Sequence, residues 1–237
     1  MEVLSRKKLE IQNRRQAIVQ VARKLFKDKG YLGFNMDRVA QQMQVAKGTI
    51  YQHFANKEEV ILAMAIETLE IRTAMFERAA LFAGKSRERM AAIGCAAELF
   101  VRWYPDHFEL EKVLSCGSII EKTSEKLQGM KTAAEMKCIG LVAGIVRDGM
   151  ACGDFPKSEF QPDQVVFGLW SNTYGGYSIM ACSQTIAQMG IENGFQIVRE
   201  NNNRLLDGYG WQPFSSELDY HKVHHRVAVE IFSEGSR

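Results

Sequence analysis

Proline is scarce, with four in 237 residues. Asn-Gly and Asp-Gly turns are few (Asn193-Gly194, Asp148-Gly149, Asp207-Gly208), and alternating apolar and polar runs are hard to find. A chain built from strands needs both, so the composition favours helices. Cysteine pairs are missing too. Cys95, Cys116, Cys138, Cys152 and Cys182 are scattered and odd in number, and none makes a CxxC pair. No secretory apolar region follows Met1, so a reduced, cytoplasmic protein with buried structural thiols is expected. There is no glycine-rich phosphate loop, no GxSxG and no HExxH. That leaves no legible catalytic constellation, and neither an enzyme nor a cofactor is expected. His221 and His225 share a helix face at metal-ligand spacing, but no acidic or Cys partner follows at a matching distance. With His224 they read as surface histidines, and no metal is expected. From Gln164 to Ile191 charge is absent, yet Ser, Thr, Asn and Gln interrupt the run and no Lys or Arg flanks it. A membrane span wants about 20 purer apolar residues, so this segment reads as a helix buried on most of its circumference.

What is present is a polarised charge distribution. The net charge is +2, but residues 1–60 carry twelve Lys/Arg against six Asp/Glu, and the remainder eighteen against twenty-two. A basic N-terminal quarter on an acidic body suggests that one end meets a polyanion. The length suffices for a substantial core in one large or two small domains.

Apolar spacing divides the chain. Residues 1–10 read as a charged, mobile lead. A helix is expected over 11–29, with Ile18, Val21, Ala22, Leu25 and Phe26 on one face and Gly30 stopping it. A second, short helix begins at Asn35 as N-cap, with Asp37 in its first turn. A third carries the stretch VAKGTIYQHFANKEEV, and a fourth starts near Asn56. Further helices are expected at about 57–82, 87–104, 106–115, 118–151, 162–183, 192–207 and 216–233. The natural division falls at residue 56, giving domains 1–56 and 57–237.

Two short helices joined by a tight turn after a longer one have the layout of a helix-turn-helix, whose second helix enters the major groove. Lys47, Gly48 and Thr49 open that helix, where exposed N–H groups attract phosphate. Gly48 allows close backbone approach. Tyr51, His53 and Lys57 reach toward phosphates. Ile50 and Phe54, four apart, face inward.

The stretch GYLGFNMDRVAQQMQVAKGTIYQHFANKEEV resembles the signature of the TetR family of transcriptional regulators, over residues 11–62. The resemblance implies an all-α fold: an N-terminal three-helix, helix-turn-helix DNA-binding domain, and a larger C-terminal helical domain for ligand binding and dimerisation. It implies that Asn35 caps the first helix of the motif, that Gln52 reaches a base edge, and that Tyr51, His53 and Lys57 contact the backbone. Two positions depart from the pattern. Gln44 stands where glycine is frequent, which places a non-glycine residue at positive φ. Ala46 stands where serine often caps the recognition helix.

In the segment after Pro162, Gly168, Ser171, Gly175, Ser178 and Cys182 form a stripe of small residues. Such a stripe admits a second helix, and a homodimer interface is expected there. Phe100, Trp103, Tyr104, Phe108, Met136, Met150, Trp170, Tyr174 and Tyr177 are the candidate lining of an effector pocket. The expected function is a ligand-responsive repressor that binds a palindromic operator on double-stranded DNA as a homodimer and is released by a small lipophilic effector. The alternative is a constitutive DNA-binding or organising protein without such an effector.

Overall fold

The computed structural model describes residues 6–114, 119–156, 160–183 and 185–233. Among these residues the regular structure is entirely helical. The helices are α1 (Arg6–Gly33), α2 (Met36–Gln42), α3 (Lys47–Tyr51), α4 (Lys57–Ala80), α5 (Ser86–Trp103), α6 (Pro105–Leu114), α7 (Glu125–Cys152), α8 (Pro162–Cys182), α9 (Thr185–Gln188), α10 (Gly194–Gly208) and α11 (Tyr220–Glu230). Two compact units form. The first holds residues up to Leu69 together with Asp106–Ala134, and the second holds Glu70–Pro105 and Glu135–Arg237.

Local chemistry sets most helix ends. Asn35 Oδ1 accepts the Arg38 N–H at 2.9 Å and opens α2. Asn56 Oδ1 accepts the Glu59 N–H at 2.8 Å and opens α4. The Glu59 carboxylate reaches back to the Ala55 N–H at 2.9 Å. Pro162 starts α8, where its missing N–H costs nothing. Gly30, at φ 63°, breaks the helical path near the end of α1, as its position in the sequence suggested.

Three expectations about helix extent are corrected. Residues 6–10 are helical, because α1 propagates outward from its packed part. The helix expected over 118–151 starts at Glu125, behind a short 3₁₀ turn, Ile120–Lys122. The reason is local competition for backbone groups. Thr123 Oγ1 donates to the Ile120 carbonyl at 2.7 Å, and Gln128 Nε2 donates to the Ile120 and Thr123 carbonyls at 3.0 and 2.9 Å. The last helix starts at Tyr220 rather than 216, because Asp219 accepts the His221 and Lys222 N–H groups. Cys116 lies outside the described residues.

In the first unit Ile18 and Ala22 of α1, Val39 of α2 and Ile50 of α3 are buried against Val60, Ile61, Leu62 and Met64 of α4. Leu110, Leu114, Ile119 and Leu127 join the same core. Packing therefore carries this unit beyond residue 56. Each of the Val, Leu, Ile and Met side chains contributes about 1.5–3 kcal/mol of burial as an upper bound. A polar group sits inside it. Arg23 donates to Glu67 at 2.7 Å, to the Met64 carbonyl at 2.8 Å and to His107 Nδ1 at 3.2 Å. Arginine can only donate, so Nδ1 is the unprotonated nitrogen.

The second unit has its own core, centred on Phe100, Ala143, Val146, Phe155, Val165 and Trp211. Two ionic groups tie it together. The buried Arg87 guanidinium donates to the Trp211 and Asn203 carbonyls and to Asp207 at 3.0–3.1 Å. Glu98 accepts from Arg199 and from Arg102 at 2.8 Å, with His224 Nε2 at 3.4 Å. Burial alone would raise the Glu98 carboxyl; His224 and Arg199 outweigh it and hold the group at about 2. His224 is therefore half-buried, unlike the exposed His221 and His225.

Candidate nucleic-acid interface

The turn between α2 and α3 is tight. The Val45 N–H returns to the Ala40 carbonyl at 3.0 Å. Gln44 adopts φ 55°, the left-handed conformation that glycine takes at lower cost. Ala46 occupies the N-cap of α3 with no side-chain hydrogen bond. Both departures noted in the sequence are thus physical features of the motif.

The recognition helix is only five residues long, so its own hydrogen bonds cannot hold it. Ile50 and Phe54 are buried at 0 % and 1 % exposure and anchor its inner side. Arg15 of α1 adds a second anchor that the motif did not reveal. Its guanidinium donates to the His53 carbonyl at the end of α3 and lies 4.1 Å from the Phe54 ring centroid. The only sequence signal was that Arg15 stands one turn before Ile18 on the buried stripe of α1.

Lys47, Gly48, Tyr51 and Gln52 are exposed, and Thr49, His53 and Lys57 are partly so. A Cβ on Gly48 would meet no atom of the chain within 4 Å, so internal packing does not require glycine there. Lys47 Nζ pairs with Asp37 at 2.6 Å, which raises its pKa. Lys57 lies 4.4 Å from the Tyr31 ring centroid. Burial, then the charges of Arg15 and Arg14, push the His53 imidazole down. His53 is thus neutral at pH 7 and offers a hydrogen bond rather than a charge. Asn35 is exposed, but its carboxamide oxygen is committed to the α2 cap.

The candidate effector residues do not converge on one cavity. Phe108 is buried in the first unit, whereas the other eight belong to the second. Within that unit Phe100 packs on Tyr104 at 5.8 Å, Trp103 on Phe232 at 5.9 Å, and Tyr177 on Phe195 at 5.1 Å. Tyr174 and Met150 are partly buried. Met136 and Trp170 are 58 % and 50 % exposed. A groove of about 590 Å³ does exist in the second unit, lined by Arg102, Met180, Ile186, Ile191, Phe195 and their neighbours. None of the nine candidates lines it. No single periodicity in the sequence marks it, because its walls come from α5, the end of α8, α9, the start of α10 and the short joining segments.

The small-residue stripe of α8 divides in two. A Cβ at Gly168 would lie 3.0 Å from the Tyr209 hydroxyl, and one at Gly176 2.5 Å from Val198. These glycines admit α10 of the same chain, and Asn172 donates to Asn202 across that contact at 2.8 Å. Gly175 meets nothing within 4 Å, and Ser171 and Cys182 are exposed. Ser178 is partly buried. Phe167, 64 % exposed, flanks this outer face.

Residues 18–64 match the family model described as bacterial regulatory proteins, tetR family. The repressor AcnR of Corynebacterium diphtheriae is 38 % identical over 58 residues, 24 % of this chain and 30 % of that protein. The chain thus spans about a third of the length of the curated relatives it matches. Among solved structures, the TetR-family regulator PfmR of Thermus thermophilus is 20 % identical, with a TM-score of 0.59 over 80 % of this chain and 97 % of that one. A regulator of Saccharomonospora viridis, solved with choline, is 15 % identical, with a TM-score of 0.64 over 83 % and 96 %. At such identities these structures show the fold alone. Motif and matched segment agree: residues 18–64 form a helix-turn-helix domain of the tetR family of bacterial regulatory proteins.

Proposed function

We propose that the protein is a transcriptional repressor that binds a palindromic DNA operator as a homodimer. The carrying observation is the division of α3. Its inner side is locked by Ile50, Phe54 and Arg15, while Lys47, Gly48, Tyr51 and Gln52 are left outward. A short rigid helix with small and basic groups at its start suits major-groove entry. The exposed face of α8 around Phe167, Ser171 and Gly175 supports dimerisation, since a two-fold partner would cover it.

Release by a small lipophilic effector in the second unit completes this reading. The continuous helix α4 leads from the motif into that unit, so a shift of α4 would change the spacing of two recognition helices. A second reading has an observation in its favour. Phe100 packs on Tyr104, Trp103 on Phe232 and Tyr177 on Phe195, as a DNA-binding protein without a small effector would have them. An electrophoretic shift assay on the DNA upstream of the protein's own reading frame tests both. Binding that apolar ligands reverse supports the repressor with an effector. Binding that no ligand alters supports the second reading, and no binding overturns both.

A further inference from the structure

The first three turns of α1 serve no core. The first buried residue is Ile18, yet the helix is formed from Arg6, and residues 6–14 are all exposed. At about 100° per residue, Lys7, Lys8, Arg14 and Arg15 fall within about 120° of the helix circumference. Ile18 and Ala22, which carry the core of the first unit, continue the same stripe. Arg15 shows where that stripe points, for it engages His53 and Phe54 at the end of the recognition helix. Glu10 stands at the edge of the stripe and is paired with Arg6 at 3.3 Å.

We propose that the exposed N-terminal turns of α1, with Lys7, Lys8 and Arg14, form a second phosphate-binding surface that follows the DNA backbone flanking the half-site. The occupant is duplex DNA because the stripe is basic and continuous with the helix-turn-helix. From Arg6 to Arg15 the helix extends about 13 Å. Backbone charges recur every 3.4 Å of rise along each strand, so the surface spans roughly four phosphates. Contacts of this kind carry no sequence preference; they add affinity and orientation.

The inference rests on the DNA-binding reading, and the test separates the two. The full chain and the triple variant Lys7→Gln, Lys8→Gln, Arg14→Gln are titrated with the same upstream duplex at several salt concentrations. They are then titrated with that duplex shortened at its flanks. The variant is expected to bind more weakly, with a salt slope lower by about 2 to 3 units. Trimming the flanks should weaken the natural chain but not the variant. Tyr51→Ala should weaken binding while keeping the dependence on flanks. An unchanged slope in the triple variant, with normal binding by the natural chain, overturns the second surface and leaves the DNA-binding reading standing. So does selective loss of binding to anionic phospholipid vesicles, which would make the basic helix a membrane-surface element. If the natural chain binds no duplex in a salt-dependent manner, both readings fall.

Discussion

Lys47 Nζ lies 2.6 Å from Asp37 Oδ1, so the first residue of the recognition helix is paired with the helix before it. Both side chains are more than half exposed, and phosphate can compete for the lysine. Asp37→Asn should free Lys47 and remove a charge that repels DNA. We expect affinity to rise on the order of a few-fold for all duplexes, most at low salt, where surface charges are least screened. Titration at two salt concentrations checks it, and a fall in affinity would show that the pair orders the interface.

Tyr51→Ala and Lys57→Ala should each weaken binding to every sequence, because the proposed interface sets both residues against the DNA backbone. The Lys57 change should also lower the salt slope by about 0.9 unit, the value for one phosphate contact. If both variants bind as the natural chain does, they leave the contact set.

The turn of the motif carries removable strain. Gln44→Gly should stabilise the first unit by about 1 kcal/mol, since the left-handed conformation costs a side-chain-bearing residue about that much. Ala46→Ser should add about 0.5–1 kcal/mol by capping α3. Denaturant midpoints of the two variants check this. A loss on Gln44→Gly would mean that the greater freedom of glycine in the unfolded chain outweighs the relief.

Adjacent glycines of α8 should behave oppositely. Gly176→Leu should destabilise the second unit, because even a Cβ there would lie 2.5 Å from Val198. Gly175→Leu should leave the fold intact, since its Cβ meets nothing within 4 Å, yet break the proposed dimer. Sedimentation of Gly175→Leu decides it: an intact dimer would place the interface elsewhere.

Acid should unfold the protein in two stages. Burial and the neighbouring Arg23 hold His107 at about 4, below its ordinary 6.5. The unfolded chain therefore binds the extra proton first, and stability falls as pH drops from about 6.5 to about 4. Glu98 follows, held at about 2 against an ordinary 4.5, so its contribution is lost between those values. His107→Asn keeps an acceptor for Arg23 but cannot titrate. Its denaturant midpoint should change less between pH 7 and pH 5 than that of the natural chain. Equal slopes would remove His107 as the cause.

The residue types alone determined the helical class, the helix-turn-helix and the outward set on α3. Those signals are local: caps such as Asn35 and Asn56, the stop at Gly30, and the four-residue spacing of Ile50 and Phe54 lie within a few residues of what they control. Tertiary structure decided the rest. Arg15 anchors a helix end 38 residues away, and Arg87 joins α5 to the loop at Trp211, 124 residues on. No periodicity encodes such partners. The small-residue stripe of α8 was legible as a close-approach surface, but not which glycines face α10 and which face outward. Trp103 and Trp170 looked equivalent in the sequence, yet one packs on Phe232 and the other is half exposed. A helix displays its faces by spacing, while what covers each face depends on chain segments brought together only when the core closes.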